Sequence, residues 1–248
     1  MTRAGAADRL CIALDYANLA EIREAAARFG PRVGWLKVGL EAFVSGGPAL
    51  VEEVARHGKV FLDLKLHDIP NTVGRSVAAA ARTGAAMINV HAAGGRAMLM
   101  AAREALAGAD RPLLIAVTLL TSIDARALAD LPMSGHPEGI VRRLASLARE
   151  CGLDGVVCSP MELPVVRSLG GSGWMAVVPG IRPAGSEAGD QKRHTTAAQA
   201  VAAGADVLVV GRPVTAAKDP DAALGELLGE IESAAKEWTK GGGAKTGV

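Results

Sequence analysis

The stretch DLKLHDIPNT, residues 63–72, sets Asp63, Lys65 and Asp68 within six positions, among hydrophobic residues suited to a protein core. Residues two apart in a strand share a face, so Asp63 and Lys65 point together with Phe61, while Leu62, Leu64 and Leu66 point the other way. Burying an ionised group costs several kcal/mol, and an opposite charge offsets that only in good geometry. Stability alone would favour leucines at these positions. An ammonium between carboxylates is instead suited to electrostatic and proton-transfer chemistry, because its neighbours keep it charged and aimed. Lys37 in WLKVG and Asp15 at the end of RLCIALD add two more ionisable groups to apolar runs. Each has a plainer reading. Asp63 and Lys65 could be a structural ion pair, Asp68 or Asn71 a helix cap, Lys37 a solvated lysine and Asp15 a first-turn carboxylate.

The elements that must carry these residues follow from hydrophobic periodicity. Short runs rich in Val, Ile and Leu predict strands over 9–15, 35–39, 60–66, 87–91, 113–119, 155–159, 175–180 and 207–211. Ala-rich stretches of helical period follow, over 19–29, 47–57, 71–83, 95–107, 136–151, 161–169, 195–203 and 220–236. Eight strand and helix pairs with no linker predict an α/β fold, a single-domain (β/α)8 TIM barrel over 1–239, with a small polar tail, 240–248, expected to be disordered. A doubly wound open sheet would want a Gly-rich turn after the first strand, and ALDYANLAE has none. Barrel enzymes place their chemistry at the C-terminal ends of the strands, which is where the ionisable residues fall. Two long connections lie on that side, 121–139 and 181–194, and the second is polar and glycine-bearing, a candidate lid.

Composition narrows the function classes. The net charge of +1 and the few aromatics (three Phe, three Trp, one Tyr) argue against nucleic-acid binding. No apolar run reaches the ~18 residues of a membrane span, and MTRAGAADRL lacks a signal-peptide core, so a soluble cytoplasmic protein without membrane contact is expected. Cys11, Cys151 and Cys158 lack metal-ligand spacing and read as inert core thiols. His91 has no second histidine at ligand spacing, so no metal site is expected.

The last strands suggest a phosphorylated small substrate. In VVGRP, Gly211 lets backbone N–H groups approach a ligand and Arg212 can fork onto phosphate oxygens, with Gly180 and Arg182 next door in VPGIRP. Thr118, Thr121 and Ser122 in VTLLTS suit the reading of an amide edge.

With IALD, LKVG, FLDLKLHDIPNT, VTLLTS, PGIRP and VVGRP in this order, the sequence resembles the orotidine 5'-phosphate decarboxylase family over nearly its whole length. The resemblance implies decarboxylation of orotidine 5'-phosphate to UMP and CO2, the last step of de novo pyrimidine synthesis, with no metal or organic cofactor. It implies an array of Lys37, Asp63, Lys65 and Asp68, with Lys65 as the catalytic cation and proton donor. It further implies a homodimer in which Asp68, Ile69 and Thr72 enter the partner's site. By the same resemblance Asp15 and Lys37 hold the ribose hydroxyls, Thr121 covers the pyrimidine edge, and Arg182, Gln191, Gly211 and Arg212 gather the phosphate. Thr118 lies close enough to compete with Thr121. The rivals are a magnesium-dependent sugar-phosphate barrel such as hexulose-phosphate synthase, whose second-strand glutamate is replaced here by Lys37, and a silent phosphate-binding barrel.

Overall fold

The structure, a computed structural model, describes residues 5–183 and 195–240. Among the described residues, β1 (Leu10–Ala13), β2 (Trp35–Gly39), β3 (Val60–Leu66), β4 (Met87–His91), β5 (Leu113–Val117), β6 (Gly155–Val157), β7 (Met175–Val178) and β8 (Val207–Val210) pair in parallel in chain order. β8 returns to β1 and closes the barrel. The expected (β/α)8 architecture is present. Its strands are near-continuous apolar runs because both faces are covered, one by the barrel interior and one by the helices.

The helices are α1 (Leu19–Phe29), α2 (Leu40–Ala55), α3 (Pro70–Ala81), α4 (Gly95–Glu104), α5 (Ala125–Leu128), α6 (Pro137–Glu150), α7 (Leu163–Gly170), α8 (Ala197–Ala202), α9 (Arg212–Thr215) and α10 (Pro220–Lys240). Local chemistry sets their starts. The Asn18 side chain accepts from Ala20 N–H at 2.8 Å to cap α1, and Thr196 with Gln199 forms a capping box on α8. Proline occupies the first turn of α3, α6 and α7, where its missing N–H costs nothing.

Two cores result. Leu10, Ile12, Leu36, Leu62 and Ile88 face outward into the helical layer. Cys11, Trp35, Phe61, Met87, Ile115 and Val207 fill the barrel interior. The register Ala13↔Lys37, Lys37↔Phe61 and Gly39↔Asp63 lifts the ionisable residues to the upper level, above that apolar plug.

Three differences from the sequence reading have physical causes. A helical segment not foreseen from the sequence begins at Leu40, directly after β2, and breaks at Gly47 (φ 62°, ψ −162°), so the predicted helix from 47 is the second of two segments of α2 joined at a kink. The connection 121–139 holds the short helix α5, capped by Asp124, whose side chain accepts from Ala127 N–H at 2.8 Å. Finally, α10 continues to Lys240. Residues 184–194 of the candidate lid and 241–248 of the tail lie outside the described residues.

The lower face is held by carboxylates that precede strands. Asp154, before β6, takes both arms of Arg111 at 2.6 and 2.7 Å and accepts from Leu114 N–H of β5 at 2.7 Å. Asp206, before β8, pairs with Arg167 and accepts from Ala176 N–H of β7 at 2.8 Å. Each carboxylate thus satisfies a strand-end donor that burial would otherwise leave unmet. Burial pushes the Asp154 carboxyl up, but the Arg111 hydrogen bonds and the Leu114 N–H outweigh it and hold the group below its usual value. A depressed folded pKa contributes stability above the unfolded value, near ~3.9, and that contribution is lost as pH falls through the folded value. Asp154→Ala is expected to lower unfolding free energy at neutral pH by about 1–3 kcal/mol and to flatten its acid dependence. Denaturant titrations from neutral to acid pH check this, and equal slopes in the two proteins would refute it.

Candidate active site

The ionisable residues form one chain of contacts across the upper ends of three strands. Lys37 Nζ donates to Asp15 Oδ1 at 2.9 Å and lies 3.6 Å from Asp63 Oδ2. Lys65 Nζ donates to Asp63 Oδ1 at 2.7 Å. The same Asp63 oxygen accepts from Asn89 Nδ2 at 2.6 Å. Signs alternate from Asp15 through Lys37 and Asp63 to Lys65, so no charge in the row lacks a counter-charge.

Burial grades along the row. The side chains of Lys37 and Asp63 are only 9% and 12% exposed, against 37% for Lys65 and 56% for Asp15. Burial works against the Lys37 ammonium, yet Asp63 and Asp15 more than compensate, and its pKa stays above the usual lysine value. For Asp63 burial likewise favours the neutral form, but Lys37, Lys65 and Asn89 outweigh it and hold the carboxyl below its ordinary range. Both inner members are therefore charged at neutral pH.

Lys65 departs from the regular alternation that the sequence predicts for β3. Its φ is +54°, in the left-handed region, which costs a non-glycine residue about 1–2 kcal/mol. Pairing with β4 shifts register between Leu62 and Leu66 at the same place. The leucines still reach the outer core, with Leu64 and Leu66 packed against it. Lys65 N–H donates to Asn89 Oδ1 at 2.8 Å.

A cavity of ≈ 480 Å³ opens above the barrel plug. Asp15, Lys37, Asp63 and Lys65 line one side, and Thr121, Arg182, Gly211 and Arg212 line other parts of the wall. Gly180 at φ +83° makes the turn that leads from β7 to Arg182. Arg182 Nε is buried and has no hydrogen-bond partner among the described residues, as expected of a donor whose acceptor is a ligand. Thr118 and Thr121 separate cleanly. The Thr118 hydroxyl is buried and donates to the Val157 carbonyl at 3.0 Å, while Thr121 lines the cavity.

Other candidates stand elsewhere. Asp68, Ile69 and Thr72 do not line the cavity of their own chain. Asp68 is exposed and accepts from Ile69 N–H at 2.6 Å, Ile69 is 66% exposed, and Thr72 is half-buried on α3. Gln191 lies outside the described residues. His91 is half-buried, its ring centre 5.5 Å from that of His67, and burial first, then His67 and Lys65, hold its pKa below the usual value. The three cysteines are buried, and burial pushes the thiols of Cys11 and Cys151 up.

Two residues escaped the sequence reading. Asn89 sits inside the apolar run MINVH, and a polar residue on the inward phase of a buried strand was the available signal. Gly39 ends LKVG, where a Cβ would stand 2.8 Å from Asp15 Oδ1 and 2.9 Å from Lys37 Nζ. Only glycine leaves that ion pair room.

Known proteins align with this arrangement. The model of the Orotidine 5'-phosphate decarboxylase / HUMPS family matches residues 8–227. The orotidine 5'-phosphate decarboxylase of Halorhodospira halophila is 54% identical over 228 residues, covering 91% of this chain and 97% of that protein. That of Sodalis glossinidius is 50% identical over 224 residues, 89% of each chain. The crystal structure of orotidine 5'-phosphate decarboxylase from Lactobacillus acidophilus superimposes with a TM-score of 0.78 at 35% identity, covering 90% of this chain and 98% of that one. A match that spans every strand of the barrel, joined to relatives sharing half their residues with it, establishes that the chain belongs to the orotidine 5'-phosphate decarboxylase / HUMPS family.

Proposed function

We propose that this chain decarboxylates orotidine 5'-phosphate to UMP and CO2 without metal or organic cofactor, using Lys65 as the catalytic cation. The observation that carries the reading is the placement of the Lys65 ammonium, 2.7 Å from a buried carboxylate, in the cavity that Arg182 and Arg212 also line. The relatives above bear the name of this activity.

The chemistry requires a cation at one carbon. Breaking the bond from pyrimidine C6 to its carboxylate leaves the electron pair on C6, a vinylic carbanion with no adjacent carbonyl to spread it, so the uncatalysed barrier is high. Lys65 faces this developing charge, stabilises it, and then transfers a proton to C6, completing UMP and later regaining a proton from solvent. Asp63 pairs with the ammonium at 2.7 Å and aims it. Arg182, Gly211 and Arg212, with Gln191, receive the phosphate, so binding energy from the far end of the substrate is available to hold the reacting carbon at Lys65. Asp15 and Lys37 bind ribose hydroxyls, and Thr121 meets the pyrimidine edge.

Asp68, Ile69 and Thr72 act in the site of a second copy, in a homodimer. Their position outside their own cavity supports this, as do the exposed apolar side chains on successive elements: Leu40 and Val44 on α2, Ile69 before α3 and Met100 on α4. Unpartnered apolar surface of this kind suits an interface. Magnesium-dependent chemistry is the less favoured reading because the Lys37 ammonium stands between Asp15 and Asp63, where it would repel a second cation.

Three outcomes are expected. Protein treated with EDTA should consume orotidine 5'-phosphate, followed by ultraviolet absorbance; no change, or activity only after Mg²⁺ is restored, would overturn the reading. Lys65→Ala should lower kcat by at least about 10³-fold while UMP binding by calorimetry stays near wild type. Mixed Lys65→Ala and Asp68→Ala chains, each inactive alone, should regain activity on subunit exchange, because one site per heterodimer is then intact. Absence of rescue in a demonstrated heterodimer would remove Asp68 from the shared site.

A further inference from the structure

Asn89 is wholly buried on β4, and its neighbour two residues back, Met87, packs in the barrel interior. Both ends of its amide are used, Nδ2 toward Asp63 and Oδ1 toward the Lys65 N–H. The partners fix its orientation, since an ionised carboxylate only accepts and a backbone N–H only donates. β3 and β4 pair at Leu62↔Ile88 and next at Leu66↔Val90, so Asp63, Leu64 and Lys65 all lie opposite Asn89. Two surplus residues are thus accommodated against one side chain. At that point the Lys65 N–H is met by an amide oxygen in place of a strand carbonyl, and Lys65 takes its left-handed backbone conformation.

We propose that Asn89 is a positioning residue for the reaction: it splices the bulged β3 to β4, setting the direction in which Lys65 leaves the strand and holding the Asp63 carboxylate beside it. A shorter or apolar side chain would leave the bulge unsatisfied, and the ladder's natural remedy would be to draw Lys65 back toward extended geometry and away from its present aim. Other groups also act on Asp63. Lys37 approaches from β2, Lys65 from its own strand, Cys11 from β1 below and His91 from further along β4. The two lysines remain when Asn89 is removed, so the carboxyl is expected to titrate higher while staying charged at neutral pH.

The inference rests on the decarboxylase reading of Lys65, and two variants test it. Asn89→Leu keeps the size and loses both hydrogen bonds; Asn89→Asp keeps an acceptor for the Lys65 N–H and loses the donor to Asp63. Both should lower kcat by about 30-fold or more while KM and UMP affinity stay within about threefold. The Asp63 carboxyl carbon, followed by ¹³C NMR, should titrate at higher pH in Asn89→Leu than in wild type. Unchanged kcat in either folded variant would overturn the proposal. An unmoved Asp63 titration would also overturn it, as would losses of kcat matched by losses of UMP affinity or insolubility of both variants, which would assign Asn89 to the fold alone. Failure of the wild-type chain to turn over substrate would sink the decarboxylase reading instead, and the NMR titration, needing no turnover, would still judge the splice.

Discussion

A buried carboxylate that meets two cations and an amide organises the upper half of this barrel. Asp63 binds Lys65 and Asn89 through one oxygen and faces Lys37 with the other. An anion this deep is tolerated only because two cations and an amide replace its lost hydration. Each of those donors is itself held by a different strand, so the position of one side chain constrains β2, β3 and β4 together. The apolar plug below, Phe61 and Met87 among it, keeps water from approaching from beneath. Electrostatics in such a site are stronger than at the surface, and little reorganisation is needed when new charge develops.

The less exposed ionic pairs divide by face. Those at the lower face, Arg111 with Asp154 and Arg167 with Asp206, satisfy strand-end N–H groups and so belong to the fold. Those at the upper face serve no strand-end group in this way and, on the proposed reading, belong to chemistry. The division matches the general behaviour of parallel barrels, where one end is free to carry the site because the other holds the sheet closed.

Much of this was readable from residue types. Eight apolar runs at regular spacing foretold the barrel, because a strand covered on both faces leaves an unbroken hydrophobic signature. Asp63 and Lys65 stood out because no core needs them, and the structure does bring them together with Lys37 and Asp15. Period-two reasoning could not reveal the bulge at Lys65, since a register shift depends on what the neighbouring strand offers. Asn89 offered only the signal of a polar residue in an apolar run, because its partners lie across the β3–β4 seam. The first segment of α2, from Leu40, was hidden because Gly46, Gly47 and Pro48 read as a beginning, and a second helical segment does begin at that break. That the Thr118 hydroxyl bonds the Val157 carbonyl while Thr121 lines the cavity depends on how neighbouring strands are placed, which residue types alone do not reveal.

The gradient of exposure along the charge row has a consequence for how the pocket fills. Asp15, at the outer end, is the member most in contact with solvent, and Lys37 and Asp63 behind it are nearly sealed. On the proposed reading, a sugar would displace water chiefly from the Asp15 carboxylate, because Lys37 and Asp63 are already shielded. Desolvation on filling is thus concentrated at the two exposed ends of the row, Asp15 and Lys65, while its sealed middle has little water to lose.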